Sequence, residues 1–250
     1  MIKYMLLQNL YSSMNIKDAV SSIMANESYG VSYEPIIDLT SMEIFAYEAL
    51  SRFKHGSIVV SPYEFFKNAH QDIELFFYIE TILKKFQLNN KPSEKKLFLN
   101  LDPDVAISDN HVAFWIDFFQ DTKDVVVEII ENSDEESAED VEHFMDWMDE
   151  YEIPYAYDDF AKPNSIYFTS LLCRANLIKL DMDVLTRIKQ HPPYIEVIKG
   201  IVNYAKKSSK KTILEGIEDS ADLKIAKTLE VDYIQGYMFK DKFINIWKNS

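Results

Sequence analysis

Short runs that are apolar on both faces alternate along this chain with longer segments whose apolar residues recur at helical spacing. The runs are Tyr33–Leu39, Ile44–Tyr47, Leu97–Leu99, Val125–Val127, Pro154–Tyr157, Leu177–Leu180, Thr212–Leu214 and Tyr233–Ile234. Hydrocarbon on both faces of a short strand is the pattern of a buried parallel sheet. Between the runs, helices are predicted from Ser61 to about His70, Ile73 to Phe86, Val112 to Phe119, Glu135 to Tyr151, Tyr194 to Lys206 and Ser220 to Leu229. Ser61-Pro62-Tyr63-Glu64 puts Ser at an N-cap, Pro at the first helical position and Glu three residues after the cap, the arrangement of a capping box. Strand–helix alternation repeated this often means an α/β fold, and the count fits a modified (β/α)8 TIM-like barrel. The first two runs lie close together, joined through Thr40-Ser41, and read as a hairpin. One barrel strand is therefore expected to run antiparallel.

Length and composition narrow the class. A chain of 250 residues can bury a full core, and single barrels have this size. No Gly/Ser/Pro-rich stretch divides it, so residues 29–250 read as one domain, preceded by an N-terminal helical segment, 1–28, packed on the barrel. Met1 to Met14 is moderately apolar but too short to span a bilayer, and no small-residue cleavage site follows it. It reads as a docking helix or a connection to an upstream module. Cys173 is the only cysteine, so no disulfide forms within the chain, which fits a reducing cytoplasm. Its expected place is a buried apolar one. A net charge of -15 is a poor footprint for duplex nucleic acid or an anionic membrane surface. No nucleophile elbow and no phosphate-cradling loop occurs, and the five histidines show no metal-ligand spacing.

The chemistry lies at the ends of the strands. Ile44–Tyr47 is followed by Glu48, Leu97–Leu99 by Asn100, Val125–Val127 by Glu128, and Pro154–Tyr157 by Asp158 and Asp159. Leu177-Ile178 leads into Lys179 and Asp181, Thr212–Leu214 into Glu215, and Tyr233-Ile234 into Gln235. In a barrel these positions converge on the C-terminal mouth, where barrel active sites sit. Carboxylates gathered there repel one another unless cations intervene. Carboxylate and amide oxygens suit Mg²⁺ and Mn²⁺, and two such ions about 3.5–4 Å apart clamp both the attacking and leaving oxygens of a phosphodiester.

The same residues resemble a known family. Glu48-Ala49-Leu50 followed by Ser51-Arg52 resembles the signature of EAL domains. Tyr33-Glu34-Pro35-Ile36-Ile37-Asp38 resembles their opening strand, Leu99-Asn100-Leu101-Asp102-Pro103 their asparagine strand and Glu128-Ile129-Ile130-Glu131 their paired-glutamate segment. Asp158-Asp159-Phe160, Lys179-Leu180-Asp181, Glu215-Gly216-Ile217-Glu218 and Gln235-Gly236-Tyr237 complete the order, from about Gly30 to Phe243. The resemblance implies hydrolysis of cyclic di-GMP to linear pGpG with two Mg²⁺ or Mn²⁺ ions, and inhibition by Ca²⁺. It implies that Glu48, Asn100, Glu128 and Asp158 hold one ion, and that Asp158, Asp159 and Glu215 hold the other. Lys179 would sit by the attacking water as its base or orienting partner, with a pKa lowered by the two dications. Gln235 would position the water, and Glu131 would brace the loop after the double aspartate. Leu50, Arg52, Asp181, Glu218 and Gln235 would contact substrate. A homodimer through the barrel and an upstream sensory or regulatory partner are also implied.

The loop after the double aspartate departs from the family pattern. Where the family has two glycines, this chain runs Ala161-Lys162-Pro163-Asn164-Ser165-Ile166. Ala161 does not readily take positive φ, and Pro163 restricts Lys162. Glu34 replaces a usual glutamine, Phe53 a frequent tryptophan, and Leu214 a small residue. Three readings follow: an active phosphodiesterase, a cyclic di-GMP sensor without turnover, and an interaction protein on an EAL scaffold.

Overall fold

The computed structural model describes residues 16–92, 94–120, 122, 124–129, 138–163 and 168–249. Met1 to Met14, the expected docking helix, lies outside these residues, as does Glu131. The chain forms two compact units.

One unit, Tyr33–Ala49 with Pro92–Ile244, is the barrel. Its strands are the inner parts of β1 (Tyr29–Asp38) and β2 (Ile44–His55), then β4 (Lys96–Leu101), β5 (Val125–Ile129), β6 (Tyr155–Phe160), β7 (Leu177–Leu180), β8 (Lys211–Leu214) and β9 (Tyr233–Ile234). They are ordered β1-β9-β8-β7-β6-β5-β4-β2, and β2 pairs back to β1 to close the ring. β1 is antiparallel to β9, through Ile37↔Ile234 and Asp38↔Tyr233, while the pairings from β2 through β9 are parallel. The expected hairpin is the cause. The Asp38 carboxylate accepts from the Thr40 and Ser41 backbone N–H groups at 3.0 and 2.8 Å, a turn that reverses the chain.

Ile36, Ala46, Phe98, Val126, Ala156, Leu177, Ile213 and Tyr233 meet in one buried cluster. Each comes from a different barrel strand, an arrangement that only a closed barrel allows. Tyr233 stacks on Phe45 at a centroid distance of 3.9 Å. Outside the strands run α4 (Asp109–Gln120), α5 (Ala138–Glu150), α6 (Thr169–Arg174), α7 (Asp183–Gln190), α8 (Tyr194–Lys207) and α9 (Ser220–Leu229). Cys173, on α6, is exposed, contrary to the sequence expectation: α6 is short and turns this position outward.

Of the described residues, the other unit holds 16–32, 50–91 and 245–249. It contains α1 (Ile16–Ala25), the outer parts of β1 and β2, β3 (Ile58–Val60), α2 (Pro62–Ala69), α3 (Ile73–Asn89) and most of β10 (Ile244–Trp247). β2 runs on to His55 and turns into β3 through Phe53↔Val60 and His55↔Ile58, a pairing the sequence pattern did not reveal. Phe53 stacks on Phe65 of α2 at 3.7 Å, and Tyr29 meets Phe86 of α3 edge-on at 5.4 Å. α2 begins at Pro62 as expected, but the Ser61 side chain makes no cap hydrogen bond, so proline rather than a capping box sets that boundary.

Candidate active site

Side chains on a strand repeat their direction every second residue. Two positions beyond Ala46, Phe98, Val126, Ala156, Leu177, Ile213 and Tyr233 of the apolar layer stand Glu48, Asn100, Glu128, Asp158, Lys179, Glu215 and Gln235. These residues form the next rung toward the C-terminal mouth. β1 runs the other way, so its member of that rung precedes the apolar layer: Glu34 lies two positions before Ile36. The sequence showed Glu34 only as a substituted glutamine, because its place depends on the reversed strand.

Lys179 is the centre of the rung and is fully buried. Its Nζ lies 2.6 Å from Glu128 Oε1, 2.8 Å from Asp158 Oδ1, 2.8 Å from Glu215 Oε1 and 3.6 Å from Glu48 Oε1. An ammonium has three N–H donors for four carboxylates. Glu128 Oε1 and Asp158 Oδ1 sit at ion-pair distance without hydrogen-bond geometry, and Gln235 Oε1 is buried with no donor among the described residues. Asn100 Nδ2 donates to Glu48 Oε1 at 3.1 Å and to Glu128 Oε2 at 2.9 Å. Gln235 Nε2 donates to Glu48 Oε2 at 2.6 Å.

The protonation states follow from burial and charge. Burial alone would raise Glu48, but Lys179 and the hydrogen bonds from Gln235 and Asn100 outweigh it and hold Glu48 below the usual carboxylate range. Burial raises Glu128 well above that range, and the neighbouring Glu48 charge adds to it. Burial likewise raises Asp158 and pushes Glu215 up to about 8, against the opposing pull of Lys179. Burial disfavours the Lys179 ammonium, yet the surrounding carboxylates hold its pKa well above the ordinary lysine value. Sequence reasoning expected a lowered value caused by two dications; the carboxylates by themselves drive it the other way.

Asp158 and Asp159 are adjacent, and a regular strand would send them to opposite faces. A β-bulge prevents this. β6 pairs β7 at Tyr157↔Ile178 and then at Phe160↔Leu180, so three steps on β6 match two on β7. Asp159 takes φ +53 within the bulge. Oxygens of Asp158, Asp159 and Glu215 consequently come within 4.8 Å of one another, close enough to hold one metal ion. Hard oxygen donors, under-donated buried oxygens and excess negative charge all fit a hard divalent cation. Asn100 would join such a set by turning its amide oxygen toward Glu48 and Glu128.

The sequence pattern that defines the EAL domain matches residues 16–241. The chain belongs to the EAL domain family. It is 25% identical over 215 residues to the uncharacterized EAL-domain protein YkuI of Bacillus subtilis, covering 82% of this chain and 53% of YkuI. It is 20% identical over 233 residues to the probable cyclic di-GMP phosphodiesterase PdeN of Escherichia coli, covering 87% of this chain and 44% of PdeN. The chain thus spans about half the length of these curated relatives. Among solved structures, an EAL domain protein of Listeria monocytogenes matches with a TM-score of 0.72 at 22% identity, covering 91% of this chain and 92% of that one. YkuI in complex with cyclic di-GMP and calcium matches with a TM-score of 0.74 at 23% identity, covering 90% and 58%. These likenesses bear out the TIM-like barrel.

The remaining residues of the EAL pattern divide. Leu50 and Arg52 lie in the outer part of β2, and both are half-buried. Asp181 is buried, and its Oδ1 accepts from the Asp183 backbone N–H at 2.7 Å, so it fixes the start of α7. Glu218 is exposed, and its backbone N–H donates to Asp222 Oδ2 at 3.2 Å. Asp222, buried on α9 and 2.5 Å from Lys189, was missed; its signal was an acid three residues past the Asp219 cap. Ala161 corrects the sequence expectation: it does take positive φ, +70. The Lys162 N–H donates to the Asp159 carbonyl at 3.1 Å, closing a turn over 159–162, and the Lys162 ammonium pairs with the Asp159 carboxylate.

Proposed function

We propose that this EAL domain binds cyclic di-GMP and hydrolyses it to linear pGpG with two divalent ions, Mg²⁺ or Mn²⁺. The carrying observation is the rung of Glu48, Asn100, Glu128, Asp158, Lys179, Glu215 and Gln235, one residue from each parallel strand, with Asp159 brought in by the bulge. Glu48, Asn100, Glu128 and Asp158 would hold one ion, and Asp158, Asp159 and Glu215 the other. The ions supply Lewis-acid activation of a water and neutralise the phosphodiester charge.

The chain's own residues do the rest. Gln235 orients Glu48 through its 2.6 Å hydrogen bond and keeps its second amide atom, Oε1, for the attacking water. Lys179, held as an ammonium by four carboxylates, orients that water. Neutralising those carboxylates lowers its pKa toward the form that accepts the water's proton. Leu50, Arg52, Asp181 and Glu218 are assigned to substrate on the strength of the family pattern, and Glu131 to bracing the loop.

The test is incubation of purified protein with cyclic di-GMP and Mn²⁺ or Mg²⁺, with pGpG followed by chromatography. Glu48→Ala and Lys179→Ala serve as controls, and Ca²⁺ is expected to inhibit. Absence of pGpG with both ions sinks the enzyme reading. A second reading, a sensor that binds without cutting, is favoured by the Lys162–Asp159 pair at the second ion's ligands. Calorimetry of cyclic di-GMP with Ca²⁺ separates it from a scaffold without a nucleotide role.

A homodimer through the barrel, an upstream regulatory partner and a cytoplasmic location belong to the same proposal. Light scattering with and without ligand checks the first. Among the described residues, no helix is long and apolar enough to cross a membrane.

A further inference from the structure

We propose that Lys162 is a tethered cation that competes with the ion bound by Asp158, Asp159 and Glu215, making this chain's two ion sites unequal in affinity. The inference rests on the two-ion reading above. Its basis is the local build of the chain after β6. Asp159, at φ +53, has a carboxylate oxygen within 4.8 Å of oxygens of Asp158 and Glu215. The next residues turn back at once: the Lys162 N–H bonds the Asp159 carbonyl at 3.1 Å, with Ala161 at φ +70 in the third position of the turn. A turn of this kind demands positive φ at that position. It returns residue 162 to the side of residue 159, and the ammonium closes on Asp159 Oδ2. Pro163 then confines the Lys162 backbone to extended conformations, which holds the base of the side chain in place. The lysine is not a freely swinging surface residue. Its side chain is 52% exposed and Asp159's is 27% exposed, so the pair stands at the rim with a path for exchange.

Among the described residues, the charges of Asp181 and Asp158 also act on Lys162. Lys162 is thus, among the described residues, the cation paired at the Asp159 end of the site, as Lys179 is at its centre. The two differ in consequence. Lys179 touches Glu48, Glu128, Asp158 and Glu215 together and influences both ion sites. Lys162 pairs with Asp159, a ligand of one site only. An ion entering that site must displace the ammonium from Asp159, so the cost falls mainly on that ion, the other feeling Lys162 only through the shared Asp158.

The test is calorimetric titration of Mn²⁺ into the chelator-treated full chain, for wild type, Lys162→Ala, Lys162→Gln and Lys162→Arg. Circular dichroism confirms that each variant is folded. The neutral variants are expected to tighten the weaker binding event by roughly five- to tenfold, as loss of a partly exposed ion pair allows, with the stronger event within about twofold of wild type. Lys162→Arg keeps the weak event weak. A wild type that takes one ion and a Lys162→Ala variant that takes two also supports the proposal. Two events of unchanged strength in all four proteins overturn the role of Lys162 while leaving two-ion binding standing. Absence of Mn²⁺ binding in every protein overturns both. An equal tightening of both events overturns the assignment to one site.

Discussion

Asp158 and Asp159 reach the same ion-binding cluster although they are consecutive on one strand. The bulge at Tyr157–Phe160 and the positive φ of Asp159 turn what would be opposite faces into one. Asp159→Asn is expected to remove one of two Mn²⁺ binding events and to lower turnover at least about a hundredfold, because one ion's charge stabilisation is lost. Calorimetry and pGpG chromatography on the same preparation check both. Two intact binding events in this variant would refute its place as a ligand.

Ion binding should release protons. Glu215, raised to about 8, favours its protonated form at neutral pH, and burial together with the Glu48 charge pushes Glu128 in the same direction, while ion ligands must give their protons up. Apparent Mn²⁺ affinity is therefore expected to rise from pH 6 to about pH 8 and then level. Titration in two buffers of different ionisation enthalpy reads the released protons. A pH-independent affinity with no proton release would contradict it.

Glu215→Gln separates stability from function. A carboxylic acid whose folded pKa exceeds its unfolded value loses stability as pH rises through the interval between the two. For Glu215 that interval runs from about 4.5 to about 8. Without divalent ions, the variant should melt higher than wild type at pH 8.5 and alike at pH 4.5, and it should make no pGpG with them. Differential scanning calorimetry in chelator at the two pH values decides. A variant that melts lower at pH 8.5 goes against the prediction.

Ala161→Gly relieves a positive φ of +70. A Cβ costs roughly 1–2 kcal/mol in this region, and glycine's greater unfolded-state freedom returns part of that. A net gain of about 0.5–1 kcal/mol is expected in urea denaturation. Loss of stability would mean that the turn is not strained by its alanine.

Gly236→Ala is expected to do the reverse. At φ +155, a Cβ here would stand 2.3 Å from both the N and O backbone atoms of Ile217. The resulting shift should cost about 2–3 kcal/mol and move Gln235 off Glu48. Activity should fall further than the melting temperature alone explains. Wild-type activity together with wild-type melting would refute the close approach.

The barrel and the positions of most of the candidate site were legible because a parallel strand writes itself with period two. Glu48, Asn100, Glu128, Lys179, Glu215 and Gln235 each end an apolar run, and each stands two residues past a layer residue in space. Asp159 follows the same apolar run as Asp158, but its aim depends on a bulge that no periodicity encodes. Ala161 was misjudged because a tertiary turn overrode its local preference. Lys162 looked unremarkable, as an ion pair at three residues' distance depends on that same turn. β3 and β10 escaped notice, being edge strands of three and four residues, and α6 and α7 were too short for a clear helical period.

The seam of the barrel governs the order in which the molecule is completed. β9 is two residues long and pairs with β1, so Ile37 must find Ile234 across most of the chain. Contacts of such sequence separation carry a high closure entropy and tend to form late in folding. Gln235 follows β9 directly, and its hydrogen bond to Glu48 spans 187 residues. This bond requires the seam to be shut. A chain caught with its parallel strands assembled but its seam open would possess the carboxylates and lack the residue that orients them, so chemical competence is acquired in the final step of ring closure.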